Sequence, residues 1–268
     1  MKKFITTEYT IESVRVPEEF HGKKLVFLSD YHNNEYGVNE KALLKTLKDL
    51  APSFILLSGD MFTGSSHCDN RNAAKFLSFL PRIAPTFCSL GNHEARLLWD
   101  APKYPEMWEF FKDTIQENHI TLLDNSSLFL GAEGGLRISG LSIGKEYYKK
   151  MVNPRMVPGY VGKCLGAPIG ERDPFTILLA HNPVYFPNYA EWGADLVLSG
   201  HVHGGIMRLP YVGGVMATNM RPFPKYDYGM YIQGKSTMIL TSGIGTHTIP
   251  FRPLNPAEVV VIQLLRKV

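Results

Sequence analysis

The 268-residue chain predicts an α/β fold in which two mixed β-sheets pack face to face with helices outside. Up to residue 118, short apolar runs alternate with segments of helical period, as in a parallel sheet with crossover helices. Beyond Ile120, strand-like runs follow one another with few helices between them, which calls for a second sheet on the first. Five of the apolar runs also end in short motifs rich in His, Asp and Asn. In open α/β sheets, ligands gather beyond the carboxyl ends of strands.

Taken in order, residues 9–15 and 24–29 read as strands. Val38–Leu50 carries Ala42, Leu43, Leu44, Leu47 and Leu50 at helical spacing. Phe54–Ser58 is a buried strand, and Ala73–Leu80 is a helix stopped by Pro81, which lacks an N–H to continue it. Thr86–Leu90 is the next strand. Trp108–Asn118 is helical, with Phe110, Phe111 and Ile115 among polar neighbours. Further strands are predicted at 120–124, 126–130, 136–141, 175–180, 194–199, 229–233, 236–241 and 258–265. Gly144–Arg172 and Arg208–Lys225 are long, aperiodic, and rich in Gly, Pro and aromatics. Such stretches are lids or binding loops as often as plain connections, so 144–172 is a candidate lid or substrate loop. No repeat, linker or low-complexity tract interrupts the chain, which predicts one domain over 1–268.

The apolar fraction of 44% and charged fraction of 20% fit a soluble globular protein. A net charge of +3 without a basic stripe argues against a nucleic-acid partner. Cys68, Cys88 and Cys164 are odd in number and form no CxxC pair, so they read as reduced thiols. No apolar stretch is long enough for a signal peptide or a membrane span. Together these features predict a cytoplasmic protein, with peripheral membrane contact left open.

The five motifs are Asp30-Tyr31-His32, Gly59-Asp60, Gly91-Asn92-His93-Glu94, Ala180-His181-Asn182-Pro183 and Gly200-His201-Val202-His203-Gly204-Gly205. They follow the apolar runs Leu25–Leu28, Phe54–Leu57, Thr86–Leu90, Phe175–Leu179 and Leu196–Leu198. Singly, each is weak, because Asp and Asn after Gly are common turn formers. Jointly, they hold five of the nine histidines in one strand-to-loop context, which points to a two-metal hydrolase. A carboxylate can bridge two cations while imidazoles and an amide oxygen complete each shell. His21, His67, His119 and His247 lie outside the motifs and read as ordinary surface or packing residues.

The series resembles the calcineurin-like metallophosphoesterase superfamily, whose pattern is D-x-H, G-D, G-N-H-[DE], H and G-H-x-H. The likeness extends to Tyr228-Gly229, Thr241-Ser242-Gly243-Ile244-Gly245-Thr246, Arg252 and Asn255-Pro256-Ala257-Glu258. That ending is similar to a branch of bacterial, often membrane-associated phosphoesterases that includes UDP-diacylglucosamine hydrolases. The resemblance implies a four-layer metallophosphoesterase fold. It implies Asp30, His32, Asp60 and His203 around one metal, and Asp60, Asn92, His181 and His201 around a second. It makes His93 the catalytic histidine beside the bridging Asp60, with Glu94 in support. Three positions depart from the pattern: Thr63 stands where many relatives place an Asp able to orient the catalytic His, Tyr31 replaces a common Leu, and Ile206 follows the glycines.

The implied activity is hydrolysis of a phosphodiester or pyrophosphate by a hydroxide bridging two divalent ions, with Mn, Fe or Zn suited to the donors. The substrate is a phosphate ester, lipid-linked or nucleotide-linked. Arg221 and Arg252, with Lys149, Lys150 and Lys225, are candidate contacts for a second phosphate. A nuclease or cyclic-nucleotide phosphodiesterase and a phosphomonoesterase are alternatives on the same metal core. A non-catalytic scaffold is disfavoured because His93 and all seven proposed ligands are present.

Overall fold

A computed structural model describes residues 4–34, 39–132, 135–149, 151–205, 208–209, 213–214, 216, 222–245 and 255–267. The first half comprises β1 (Phe4–Ser13), β2 (Lys24–Leu28), α1 (Glu40–Leu50), β3 (Phe54–Leu57), α2 (Arg71–Phe79), β4 (Thr86–Ser89), α3 (Asn92–Trp99), α4 (Met107–Glu117) and β5 (Thr121–Leu123). Then come β6 (Ser126–Leu130), β7 (Leu136–Leu141), α5 (Tyr160–Leu165), β8 (Phe175–Ala180), α6 (Phe186–Trp192) and β9 (Leu196–Ser199). The chain closes with β10 (Arg208–Leu209), β11 (Gly213–Gly214), β12 (Gly229–Gln233), β13 (Ser236–Leu240) and β14 (Ala257–Arg266).

Two six-stranded sheets result, ordered β1-β14-β2-β3-β4-β5 and β12-β13-β9-β8-β7-β6. In the first, β2 to β5 run parallel, and β14 is antiparallel to β2 and parallel to β1. In the second, β7, β8, β9 and β13 run parallel, with β6 and β12 antiparallel at the edges. Period-two alternation explains the layering, because both faces of the central strands are buried. Along β2, Val26 and Leu28 join the cluster with Leu43 and Leu47 of α1 and Phe76 of α2, while Leu25 and Phe27 face the other sheet. Ile177 and Leu179 of β8 and Leu196 and Leu198 of β9 come from the opposite side into that middle layer. Leu178 and Val197 point outward to Val161 of α5 and to Phe186, Tyr189 and Trp192 of α6. The order is therefore helices, sheet, sheet, helices. Among the described residues, no helix is long and apolar enough to cross a membrane.

The two-sheet expectation stands, with corrections to its parts. The first strand begins at Phe4 rather than residue 9 and ends at Ser13. Its exposed residues break the simple apolar pattern because it is an edge strand. β5 and β14, expected in the second sheet, belong to the first. Pro81 does not stop α2 outright: the helix tightens into a 3₁₀ turn at Leu80–Arg82 that places Pro81 at its start, where a missing N–H is tolerated. Three helices escaped prediction. Of these, α3 starts inside the third motif, and α5 lies within 144–172, together with a 3₁₀ turn at Lys145–Tyr148. The third, α6, follows Pro183.

Leu196 is fully buried between the sheets. Leu196→Ala is expected to destabilise the protein by about 2–5 kcal/mol, read as a fall in the urea midpoint. Ile232→Ala, at a residue 69% exposed on edge strand β12, should stay within about 0.5 kcal/mol.

Candidate metal centre

The five motifs begin where β2, β3, β4, β8 and β9 end, and the backbone there is unusual. Asp30, His32, Asp60, His201 and His203 all adopt left-handed φ values of 56, 47, 54, 72 and 52°. Asp, Asn and His tolerate this region best among non-glycine residues, and clusters of such strain mark functional sites. Each strand thereby ends in a sharp turn that aims side chains across the sheet edge. Close backbone contact requires glycine at two places. A Cβ on Gly59 would lie 2.0 Å from the Gly91 nitrogen, and one on Gly91 would lie 2.2 Å from Asp60 Oδ1. Hydrogen bonds then lace the turns together: Asp30 N–H to the Gly59 carbonyl (3.0 Å), His32 N–H to that of Asp60 (3.0 Å), and Gly200 N–H to that of His181 (3.1 Å).

The turns converge on two buried carboxylates, Asp30 (0% exposed) and Asp60 (2%). The His201 N–H donates to both oxygens of Asp30 at 3.1 Å, and the His93 N–H donates to Asp60 Oδ1 at 2.8 Å. Imidazoles meet their remaining sides. His203 Nε2 lies 3.3 Å and His32 Nε2 3.7 Å from Asp30 Oδ1, and those two nitrogens are 3.1 Å apart. His181 Nε2 is 3.1 Å from Asp60 Oδ2 and 3.9 Å from Asp30 Oδ1. Donor atoms fall into overlapping sets, each within 4.8 Å: Asp30, His32 and His203; Asp60, His181 and His201; and His32, Asp60 and His93.

Burial alone would raise both Asp pKa values, but the neighbouring imidazoles outweigh it. His203, His32 and His181 hold Asp30 well below the usual carboxylate range. His181 and His93 do the same for Asp60. The converse holds at His181. Burial would lower its pKa, yet Asp60, Asp30 and Glu94 lift it to about 9. Its Nδ1 faces the Ser58 carbonyl at 3.0 Å, which can only accept, so Nδ1 carries a proton and Nε2 points to the carboxylates. His201 is pushed down to about 4 by burial and by the charge on His181. Glu94 is fully buried, and its carboxylate accepts N–H bonds from Asp60 (2.8 Å), Phe62 (2.9 Å) and Gly91 (3.0 Å). Burial and then the Asp60 charge still raise it to about 7. Glu94 thus ties the second and third motifs into one rigid corner.

The donors suit a cation. Carboxylate oxygens and imidazole nitrogens lie together in each of these sets, the mixture that first-row divalent ions prefer. Asn92 Oδ1 is buried and accepts no hydrogen bond among the described residues, as a metal-facing amide would.

Of the residues singled out in the sequence, the structure brings together Asp30, His32, Asp60, His93, His181, His201 and His203, and Asn92 directly precedes His93 at the start of α3. Arg221, Arg252 and Lys150 lie outside the described residues. Lys149 is exposed, and the Lys225 ammonium sits over the Tyr226 ring at 4.9 Å. Two contributors were not assigned to the site from the sequence, although Asn255 stands in the tail that carries the family likeness. The Tyr148 ring meets that of His201 edge to face with centroids 5.3 Å apart, and Asn255 donates its amide to the carbonyls of His203 and Gly205. Asn255 lies in the Asn-Pro-Ala-Glu tail, whose position in the sequence gives no hint that it reaches the His203 turn.

Comparison with known proteins agrees with this geometry. The chain is 28% identical over 265 residues to the metallophosphoesterase YkuE of Bacillus subtilis, covering 97% of this chain and 85% of that one. It is 26% identical over 226 residues to the phosphodiesterase YaeI of Escherichia coli K12, covering 83% and 75%. The crystal structure of TT1561 from Thermus thermophilus superimposes with a TM-score of 0.50 at 15% identity, over 83% of this chain and 90% of that one, and so shares the fold. The Calcineurin-like phosphoesterase family model matches residues 23–205, the stretch that carries all five motifs. The chain belongs to the calcineurin-like phosphoesterase family and is a metal-dependent phosphoester hydrolase.

Proposed function

We propose that this hydrolase cleaves a phosphodiester or pyrophosphate bond with two divalent cations that share Asp60. The observation that carries the reading is the position of Asp60 between two donor sets, one with Asp30, His32 and His203 and the other with His181 and His201. Asp60 with Asp30, His32 and His203 would hold one ion, and Asp60 with Asn92, His181 and His201 the other. The donor mixture suits Mn, Fe or Zn. Bound there, such ions generate a nucleophile from water and offset charge on the phosphoryl oxygens.

The chain's own groups do the rest. The His93 N–H orients the Asp60 carboxylate, and the His93 ring stands beside it to donate a hydrogen bond to the phosphoryl or leaving oxygen. Tyr148 closes over His201 from the Lys145–Tyr148 turn, its ring also 5.9 Å from Trp99. That contact supports 144–172 as a lid within a single domain spanning 1–268. Met151, Val152 and Val157 expose apolar side chains on the same segment, which fits a substrate carrying an apolar tail, such as a lipid-linked diester at a membrane surface. The name of the phosphodiesterase YaeI favours a diester over a monoester.

The test is an aryl phosphodiester beside its matching monoester, with chelator-stripped protein and Mn, Zn or Fe added back. Diester turnover should depend on metal, vanish in Asp60→Asn, and fall by about 10²–10⁴ in a folded His93→Ala. Turnover of the monoester alone would replace the reading by a phosphomonoesterase, and no turnover with any metal would contradict both.

A second expectation follows from His181. Its raised pKa means that, without metal, the protonated ring stabilises the fold fully below about pH 6.5, and this contribution fades as pH rises through about 9. Metal must displace that proton. Zn or Mn addition at about pH 7.5 should release about one proton per protein from His181, and metal affinity should climb as pH rises toward 9. Affinity independent of pH over that span would remove His181 from the ligand set.

A further inference from the structure

We infer that Asn70, Arg96 and Tyr104 are positioning residues for His93, acting through the Thr63–Gly64 backbone, which fixes the imidazole with its proton on Nε2. The inference rests on the reading above, in which His93 donates to an oxygen of the substrate.

The Gly64 N–H donates to His93 Nδ1 at 2.9 Å. A backbone N–H can only donate, so Nδ1 must present its lone pair, and the neutral ring carries its proton on Nε2. Nε2 is then the donor nitrogen of the ring. A backbone N–H meets Nδ1 here, and Thr63 stands where many relatives place an Asp able to orient the catalytic His. The close approach demands glycine: a Cβ on Gly64 would lie 2.7 Å from the His93 carbonyl oxygen.

Such a peptide orients a ring only if it is itself immobile, and it is held on both sides. Arg96 Nη1 and the Tyr104 hydroxyl each donate to the Gly64 carbonyl at 3.2 Å. Asn70 takes both backbone groups of Thr63: its Oδ1 accepts the Thr63 N–H at 2.7 Å, and its Nδ2 donates to the Thr63 carbonyl at 3.1 Å. Asn70 occupies the N-cap of α2, where an Asn side chain normally bonds the helix's own N–H groups. Here it makes no such bond and sits fully buried at a left-handed φ of 54°. The side chain has been turned from its local use to the Thr63 backbone. Phe62, one residue earlier, is tied to Glu94 Oε1 at 2.9 Å, so the path from Asp60 to Gly64 is anchored along its length.

The test uses ¹⁵N-histidine-labelled protein loaded with zinc, which is diamagnetic, and long-range ¹H–¹⁵N correlation. His93 is assigned by its loss in His93→Ala. The wild type should show the Nε2–H form with Nδ1 as acceptor. Asn70→Ala should show a mixture of ring forms, and its kcat on the diester should fall about 10-fold or more with KM changed less than about 2-fold. A merely structural clamp would lower stability without moving the ring signals. Should Asn70→Ala fail to fold, Tyr104→Phe removes one hydroxyl from a half-buried ring, and a smaller shift in the same direction is expected. A proton on Nδ1 in the wild type, or unchanged ring signals and kcat in a folded variant, would overturn the inference. The spectra need no substrate, so they decide it even if the diester reading fails.

Discussion

Asp30 and Asp60 are both shut off from solvent, and their oxygens lie within 4 Å of the same imidazole nitrogen, His181 Nε2. Two carboxylates cannot stay ionised in an apolar interior without compensation, since desolvating even one isolated charge costs more than most folds can spare. The backbone supplies part of the answer through the N–H groups of His201 and His93, and four histidines supply more. A fifth imidazole, His201, is pushed toward its neutral form by burial and by the charge on His181, so it brings a lone pair and no charge. A divalent cation, which the family implies, would balance the two carboxylates and take up the imidazole lone pairs.

That requirement accounts for much of the surrounding architecture. Donor atoms from five strand ends must meet at one point, so the turns adopt left-handed φ at five donor residues and use glycine where backbones touch. It also gives the C-terminal strand a role beyond closing a sheet. By inserting between β1 and β2, β14 brings Asn255 to the His203 turn. Glu258 is buried at the same end and accepts bonds from the Tyr228 hydroxyl (2.6 Å), Thr241 Oγ1 (2.7 Å) and the Ser242 N–H (3.3 Å). The next turn reaches back to the first motif, with Ile244 and Gly245 N–H donating to the Ser29 and Asp30 carbonyls at 3.0 and 2.7 Å. The tail residues that resemble one branch of the family therefore brace the metal-side turns from behind.

The site was legible in the sequence because its information is local. Each strand end writes its donor residues within a few positions of an apolar run, so the seven converging residues stand in the sequence as candidates. The missing parts were those set by distant contacts or by an obscured period. Only Ala95 and Leu97 supply buried apolar side chains to α3, whose first turn is made of functional polar residues, so its helical period is hidden. The strands β5 and β14 read correctly as strands but not as members of the first sheet, because pairing partners leave no mark in a short apolar run. Asn70 looks like any loop asparagine. Its hold on Thr63 arises from a left-handed turn seven residues later, which no spacing rule signals.

The central claim is that Asp60 serves two cations at once. Anomalous X-ray diffraction from crystals of protein purified with its own metal tests it most directly. Two anomalous peaks are expected with Asp60 as their common ligand, one completed by Asp30, His32 and His203 and the other by Asn92, His181 and His201. A single peak, or peaks that leave Asp60 uncoordinated, would contradict it.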